Sequence, residues 1–419
     1  MLKAEGIKLS VLQRALMTQR RCEMSTRKKS VIKYGLVVFA SLVLISSSLI
    51  YRTAAPAAEL SPIKIGAIVP YTWEDPTISH IDKGLKMKLD EVGWKVAGRT
   101  IEFIGEDDAG NAVKSVEKAK KLVEANKVSA IFGPVVVNCM LAAINYTTAS
   151  KTTHFTIVEL PPAGHKMGGN NVFSIAGTQQ GITKDLGDYA YDVAGYRTAT
   201  VMQQDFVAGD ELAKGFIDAF QAKGGKIIQR QRIPIGTMDY APYVTAIQKA
   251  DVMVCWLLPQ ETMRLLPLYF NAKLNMPFIQ LHGSVPEEML EQLGDRTVGI
   301  VSVMRWSRFD DNPVTKQFVD AFTAKYKEAP NFMGAAGYEQ VSFLLEGLKA
   351  TNGDTTPDVL NNAIRKLKLS LPSGITSFNE EGIAIGDHNI LRVEKAGGRL
   401  VWKPIRKFSQ VLYKSPNEK

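Results

Sequence analysis

The chain has 419 residues, which is too many for one compact core, so we expect two domains. Its net charge of +9 does not indicate a nucleic-acid-binding protein, because the basic excess is concentrated at one end. Residues 1–58 contain ten Lys or Arg and two Asp or Glu, whereas the remainder contains 41 and 40. The main part of the chain is therefore nearly neutral, and we expect no nucleic acid among its partners.

The first 58 residues have the pattern of an export leader. A basic stretch, STRKKSVIKY, precedes the apolar run 35–50, and Ala55 and Ala57 follow at cleavage spacing. The apolar run is short for a membrane-spanning helix, which needs about 20 residues. We therefore expect a cleaved signal peptide within 1–58 and an exported protein, with an uncleaved membrane anchor as the alternative. Met24 is a second candidate for the start of translation.

After the leader, short apolar runs alternate with segments of helical periodicity. Strands are expected at IKIGAIVP, TIEFIGEDD, SAIFGP and HFTIVEL, and helices at ISHIDKGLKMKLDEVG and NAVKSVEKAKKLVEAN. The second helix is predicted to bury Val113, Val116, Leu122 and Val123 on one face. This alternation favours a parallel sheet with helices on both faces.

The same alternation starts again near residue 198. Strands are expected at TATVMQQD, KIIQRQRIP, DVMVCWLL, PFIQLHG and VGIVSVM, and helices at DELAKGFIDAFQAKGG, APYVTAIQKA and PQETMRLLPLYFNAKL. Two long helices follow, at NPVTKQFVDAFTAKYKEAP and AAGYEQVSFLLEGLKAT, and then short antiparallel strands at SGITSFNEEG and HNILRVE. Two such sets in series predict an α/β protein with two similar lobes.

Few residues have the spacing that catalysis or metal binding requires. The five histidines show no metal-ligand spacing, and the sequence contains no P-loop, G-x-S-x-G, H-E-x-x-H or dinucleotide motif. We therefore expect no enzyme, no cofactor and no metal site. Cys139 and Cys255 are far apart in sequence, and two buried single thiols are favoured over a disulfide.

Phrases from the whole region after the leader resemble the leucine/isoleucine/valine-type periplasmic binding proteins of ABC transporters. They include IKIGAIVPYT, GRTIEFIGEDDAGNAVKSVEKAKKLV, VSAIFGPV, DFVAGDELAKGF, GTMDYAPYVTAIQKADVMV and FDDNPVTKQFVDAFTAKY. The resemblance implies the type I binding-protein fold, with two lobes of mostly parallel sheets flanked by helices and joined by three crossovers. It assigns residues 62–177 and 307–372 to lobe 1, residues 178–306 and 373–408 to lobe 2, and residues 409–419 to a C-terminal tail.

The resemblance also implies a function. A protein of this family holds one small ligand in the cleft, closes its lobes on the ligand and delivers it to the membrane permease and ATPase subunits of an importer. A ligand-sensing receptor or adaptor with the same fold is the alternative. Neighbouring genes for two permeases and two ATPases would favour transport, and a neighbouring kinase gene would favour sensing.

The resemblance places the ligand at the C-terminal ends of strands from both lobes. The first-lobe candidates are Tyr71, Trp73, Val137, Asn138, Leu160 and Pro161, and the second-lobe candidates are Phe206, Ala208, Trp256, Leu258 and His282. Each also has a structural interpretation, because the valines of the turn 135–138 and Trp256 suit an apolar core. Phe206 likewise suits packing at the start of a helix.

Several polar positions of the amino-acid binders in this family differ here. A serine that helps to hold the ligand carboxylate aligns with Val137, a tyrosine aligns with Ala208, and the acidic residue that pairs with the ligand ammonium falls near His282. Asn138 is expected to cap the helix after the turn, and the free amides of that helix are expected to hold an acid.

These differences predict an amphipathic acid or amide that has an apolar body and lacks an α-ammonium. An amino acid is the alternative, and Glu159 is the residue that would then pair with the ammonium. Arg305 and Arg308 are interpreted as solvated hinge charges, with contact to a ligand carboxylate as the alternative.

Overall fold

The computed structural model describes Met17 and residues 60–73, 77–283 and 285–411. The predicted cleavage site, the rest of the leader and residues 412–419 lie outside the described residues. Both lobes belong to one structural unit, Ser61–Lys419. None of the helices in the described part of the chain is long and apolar enough to cross a membrane.

The first lobe contains a six-stranded sheet with the strand order β2-β3-β1-β4-β5-β6. Neighbouring strands are parallel except for the antiparallel pair β2 and β3. Its strands are β1 (Ile63–Val69), β2 (Lys95–Val96), β3 (Arg99–Asp107), β4 (Ala130–Phe132), β5 (Thr153–Thr156) and β6 (Val172–Ser174). The helices between them are α1 (Ser79–Glu91), α2 (Ala112–Lys120, continued by a π-turn over Lys121–Ala125), α3 (Val137–Ser150) and α4 (Pro162–Met167).

The second sheet has the order β12-β13-β14-β11-β10-β9-β7-β8, and β15 pairs with β14. The neighbouring strands β8, β7, β9, β10 and β11 run parallel to one another. The remaining pairs, β11 with β14, β14 with β13, β13 with β12 and β14 with β15, are antiparallel. The strands are β7 (Thr198–Gln204), β8 (Lys226–Ile233), β9 (Val252–Trp256), β10 (Phe278–Gln280), β11 (Val301–Met304), β12 (Lys368–Leu371), β13 (Gly374–Phe378), β14 (Ala384–Ala396) and β15 (Arg399–Val411). The helices are α5 (Gln179–Asp192), α6 (Val207–Ala222), α7 (Ala241–Thr245), α8 (Pro259–Asn271) and α9 (Glu287–Leu293), with a 3-10 turn at Asp295–Thr297.

The chain passes between the two sheets three times. It leaves β6 for α5, then leaves β11 for the helices α10 (Pro313–Tyr326), α11 (Phe332–Ala350) and α12 (Pro357–Arg365), and finally returns from α12 to β12. The third passage belongs to both lobes. The backbone of β13 pairs with β14, while the Phe378 ring packs 4.6 Å from Phe343 in the first-lobe core.

Helix α11 is held against α1 by a close approach at glycines. A Cβ on Gly84 would lie 2.0 Å from the carbonyl oxygen of Gly334, so a larger residue at position 84 would push the helices apart. Helix α1 also buries Ile81, Leu85 and Leu89, which recur at the helical spacing of four. This packing carries the first residues of α11 to the cleft between the lobes.

The predicted strands and most predicted helices are confirmed, but some elements differ. Helix α2 buries Ser115 and Ala119, and Leu122 of the following π-turn is also buried, whereas Val113 is 68% exposed. The prediction that Val113 faces the core is therefore wrong. Strand β15 continues three residues into the segment predicted as a tail. Cys139 and Cys255 are buried and free, as expected.

Candidate ligand-binding cleft

The main cavity of the cleft has a volume of about 200 Å³ and lies between the two lobes. Most of the residues singled out from the sequence line it: Trp73, Val137, Phe206, Ala208, Trp256, Leu258 and His282. Because the parallel strands of each lobe end at this edge, loops that are distant in sequence meet around one space. The sequence-based candidates thus form a common wall, although their contact with a ligand remains a prediction.

The first-lobe wall is mainly apolar. Val135, Val136 and Val137 come from the turn that follows β4, and Phe332 and Met333 come from the start of α11. Val137 is 7% exposed and belongs to an apolar cluster that also contains residues of the second lobe. The turn is therefore at once a packed corner and part of the cavity wall.

The second-lobe wall is built around two aromatic rings. The rings of Phe206 and Trp256 lie 5.6 Å apart, and both line the cavity. Trp256 is 9% exposed, and its Nε1 donates to the carbonyl oxygen of His282 at 2.9 Å. The amide of Leu258 donates to Gln204 Oε1 at 3.2 Å, which fixes the start of α8. Trp256 therefore belongs to the apolar core and lines the cavity at the same time.

A buried ion pair connects the lobes at this cavity. His282 Nε2 lies 2.6 Å from Glu159 Oε1, and His282 Nδ1 lies 2.9 Å from the carbonyl oxygen of Val303. Because both ring nitrogens face acceptors, the contacts favour the doubly protonated, charged imidazole. Burial opposes this charge, but the Glu159 carboxylate outweighs burial and raises the pKa of His282. Burial similarly opposes ionisation of Glu159, but the attraction of His282 lowers the pKa of that carboxyl.

A smaller cavity of about 40 Å³ lies beside this pair and shares Glu159 and His282 with the main cavity. Arg305 lines it and is 8% exposed, so the interpretation of Arg305 as a solvated hinge charge is wrong. Burial lowers the pKa of Arg305 against the attraction of Glu339 and Glu159. Glu339 accepts hydrogen bonds from the backbone amide and hydroxyl of Ser373, at 2.6 and 3.0 Å. The second and third passages are thereby joined by buried polar groups.

Arg308 has a different environment from Arg305. Its Nη2 lies 2.5 Å from Glu287 Oε2, and its side chain is 18% exposed. The Arg308 charge is therefore compensated within the protein.

The helix α3 begins without a side-chain cap. Val136 is its N-cap residue, and no described side chain accepts from the first amides. Asn138 lies inside the helix and is exposed, so the prediction that Asn138 caps it is wrong. The uncapped amides still fit the expectation of an acid-binding turn, because they keep their hydrogen-bonding capacity and the positive end of the helix dipole.

Four predicted residues lie away from the described cavity wall. Tyr71 turns towards α1, where its hydroxyl donates to Asp82 Oδ1 at 2.7 Å. Leu160 is 2% exposed within the apolar cluster shared by the lobes, and Pro161 is the buried N-cap of α4. Asn138 is the fourth. The structure does not bring these side chains to the cavity.

The wall also contains residues that the sequence analysis did not single out. These are Thr77, Ile78, Val158, Gln179, Leu212, Pro259, Pro286, Phe332 and Met333. Most are ordinary apolar residues, which no local pattern separates from the core. Gln179 had one available signal, since it lies in the polar run TQQ at a predicted lobe boundary. Within the described residues, no group of three His, Cys, Asp or Glu side chains is placed to hold a metal.

Comparison with known proteins identifies the class. The sequence model of a family described as "Periplasmic binding protein" matches residues 62–398, and this chain belongs to that family. The Leu/Ile/Val-binding protein homolog 6 of Brucella suis biovar 1 (strain 1330) is 23% identical over 375 residues, which is 86% of this chain and 95% of that protein.

Two solved structures show the same architecture. An ABC transporter substrate-binding protein from Sphaerobacter thermophilus matches with a TM-score of 0.78 at 25% identity, covering 83% of this chain and 98% of that one. A solute-binding protein of an ABC transporter from Rhodopseudomonas palustris BisB5, in complex with 3,4-dihydroxybenzoic acid, matches with the same TM-score and identity over 85% and 99%. The predicted type I fold of the leucine/isoleucine/valine-binding type is confirmed.

Proposed function

We propose that this chain is the extracytoplasmic substrate-binding component of an ABC importer of the branched-chain-amino-acid type. It closes two lobes on one small amphipathic ligand and presents the loaded form to permease and ATPase subunits. The relatives support this role, since one is named a Leu/Ile/Val-binding protein homolog and others are ABC transporter binding proteins.

Within this role, the ligand is an apolar carboxylate or amide and not an α-amino acid. The observation that carries this is the Glu159–His282 ion pair. Glu159 is the carboxylate among the described lining residues, and His282 already neutralises it. An ammonium entering the closed cavity would meet a compensated carboxylate and a positive imidazole, and a buried unpaired charge is costly.

The rest of the cavity suits such a ligand. Phe206, Trp256 and the valines offer apolar area, which contributes about 25 cal/mol for each Å² buried. The uncapped amides of α3 offer donors to a carboxylate. The R. palustris relative was solved with an aromatic acid, which has this combination of an acid group and an apolar body.

A thermal-shift panel tests the ligand class. Leucine, valine and phenylalanine are compared with their deaminated acids, the corresponding amides and 3,4-dihydroxybenzoate. We expect the acids or amides to raise the melting temperature and the amino acids to leave it unchanged. Strong stabilisation by the amino acids alone would show an ordinary amino-acid carrier.

Uptake measurements test the transport role. Deletion of the gene should abolish uptake of the ligand identified by mass spectrometry of the purified protein. Loss of a regulatory response with uptake intact would instead indicate a ligand-sensing receptor.

Mass analysis of exported protein tests the location, and we expect an N-terminus near Ala57 or Ala58. An intact apolar run 35–50 in a membrane fraction would contradict the cleaved leader.

A further inference from the structure

Gln179 places a buried amide on the wall of the main cavity. The side chain is 2% exposed and lines the cavity, and its Oε1 has no hydrogen-bond partner among the described residues. Buried polar groups in native proteins are nearly always paired, because an unpaired one is costly. This amide therefore points to a partner that arrives when the cavity is occupied.

The backbone that carries Gln179 is well fixed. Gln179 is the first residue of α5, where the chain first enters the second lobe. Its backbone N–H donates to the carbonyl oxygen of Leu160 at 3.4 Å. The hydroxyl of Thr178 caps the helix by accepting from the amide of Gly181 at 2.9 Å. The side chain thus projects from a rigid element, as a recognition residue requires.

Other polar groups of the same wall are already occupied. Glu159 and His282 bind each other, and Trp256 Nε1 donates to the His282 carbonyl oxygen. The ionised Glu159 disfavours a second carboxylate at this part of the wall. A neutral group that both donates and accepts is the best match for a glutamine amide, whose own ends can exchange by rotation.

We propose that Gln179 is a specificity-determining residue that hydrogen-bonds a hydroxyl group carried on the apolar body of the ligand. The inference rests on the proposed function and narrows its ligand class to hydroxylated apolar acids. An analogue without the hydroxyl leaves the Gln179 amide buried and unpaired, so the site rejects it.

Three pairs of acids and the substitution Gln179→Leu test this role by calorimetric titration. The pairs are benzoate with 4-hydroxybenzoate, 3-phenylpropanoate with 3-(4-hydroxyphenyl)propanoate, and 4-methylpentanoate with 2-hydroxy-4-methylpentanoate. In the wild type, we expect the hydroxylated member of the best-bound pair to bind about tenfold more tightly. In Gln179→Leu, this preference should fall to about one, through weaker binding of the hydroxylated acid.

The neighbouring Gln180 provides a matched control. It is 3% exposed and lies off the described cavity wall, and its Nε2 donates to the Glu211 carboxylate. Gln180→Leu should lower the melting temperature of the empty protein and keep the hydroxyl preference. Gln179→Leu should leave the melting temperature unchanged or raise it, because the substitution removes an unpaired polar group. A merely structural role of Gln179 would lower the melting temperature and weaken both acids of a pair equally.

The possible failures are distinguishable. If the acids bind but the best-bound pair shows no hydroxyl preference, or the same preference in Gln179→Leu, the assignment of Gln179 is overturned and the proposed function stands. If neither these acids nor the amides of the thermal-shift panel bind the wild type, the proposed ligand class fails, and the role of Gln179 fails with it.

Discussion

Glu159 and His282 contribute opposite charges to the cleft, one from each lobe. Their contact does two things, because it links the lobes and neutralises the carboxylate that an amino-acid ligand would need. Breaking such a buried pair from one side is expensive, since the remaining charge stays buried without compensation. The pair is therefore expected to affect stability and, in the proposed function, the class of ligand as well.

The stability of the protein should fall on the alkaline side of neutral pH because of His282. Its folded pKa is raised above the unfolded value of about 6.5, so its contribution is complete below that value and is lost as the pH rises through the folded pKa. The pKa of Glu159 is lowered by folding, so Glu159 stabilises the protein at pH values above its unfolded-state pKa. This stabilisation is lost as the pH falls through the folded-state pKa. The measurement is the urea midpoint between pH 6 and 9, for the wild type and His282→Gln.

In His282→Gln, the urea midpoint should fall less steeply between pH 6 and 9 than in the wild type, because the contribution of His282 is missing. The other histidines are present in both proteins, so their contributions cancel in the difference. An identical pH dependence of the urea midpoint in the two proteins would contradict the raised pKa of His282.

At pH 7, Glu159→Gln should lower the free energy of unfolding by about 3 kcal/mol, because the charge of His282 then stays buried without compensation.

At the scale of single elements, the entry to α3 shows a conflict between stability and binding. An uncapped helix start is less stable than one that begins with Ser, Thr, Asp or Asn, but its amides remain available to a ligand. The turn after β3 is also placed to affect binding, because Gly110 in this turn packs closely against the ring of Trp73, which lines the cavity.

Val136→Ser should stabilise the empty protein by about 0.5–1 kcal/mol, because the hydroxyl can accept from the first amides of α3. The same substitution should weaken acid ligands several-fold, since those amides are then occupied. Urea unfolding and calorimetric titration give the two quantities. As a control, Thr356→Asp at the start of α12, which also lacks a side-chain cap, should add stability without changing affinity. Unchanged affinity in Val136→Ser would contradict a role of these amides in binding.

Gly110→Ala should weaken ligand binding although Gly110 is not a wall residue. Gly110 has a φ of +67°, and a Cβ there would lie 2.2 Å from the Trp73 ring, which must then move. Gly93→Ala is the matched control, because Gly93 has a φ of +60° and no atom within 4 Å of the added Cβ. Both variants should lose about 1–2 kcal/mol of stability, but calorimetric titration should show weaker binding in Gly110→Ala alone. Equal affinities in the two variants would show that Trp73 does not contribute.

At the scale of the whole molecule, three passages connect the two lobes, and the main cavity lies between them. The cavity wall comes from both lobes, so a ligand that contacts both favours the closed arrangement by its differential affinity. The buried polar groups around Arg305, Glu339 and Ser373 lie where the second and third passages meet, so they are placed to restrain any movement between the lobes.

Ligand binding should compact the protein. Small-angle scattering should show a smaller radius of gyration with bound ligand, because the cleft surfaces of both lobes become buried. At a ligand concentration of about 100 times Kd, the free energy of unfolding should increase by about 2.7 kcal/mol. A tightly bound ligand that leaves the radius of gyration unchanged would contradict hinge closure.

Much of the fold could be predicted because its signals are local. The apolar run of β1 and the helical spacing of α1 are each contained in one short segment. Boundaries and faces were less certain for the same reason. The pattern around Val113 allowed two neighbouring faces, and packing against α3 selected the one with the smaller residues Ser115 and Ala119. Strand β15 was missed because Pro404 and its many basic residues weaken the strand signal, which pairing with β14 overcomes.

The sequence by itself determined the family, the two lobes and about half of the residues that line the cavity, since each depends on residue types in a recognisable local order. Only the tertiary structure decided how the polar groups are paired. Glu159 and His282 are more than one hundred positions apart, and no local pattern shows that they meet at 2.6 Å. Nor does one show that Gln179 Oε1, in the same cavity wall, has no partner among the described residues. Such pairing depends on which loops the two sheets bring to one edge, because a buried polar group takes its partner from whatever the fold places within hydrogen-bonding distance.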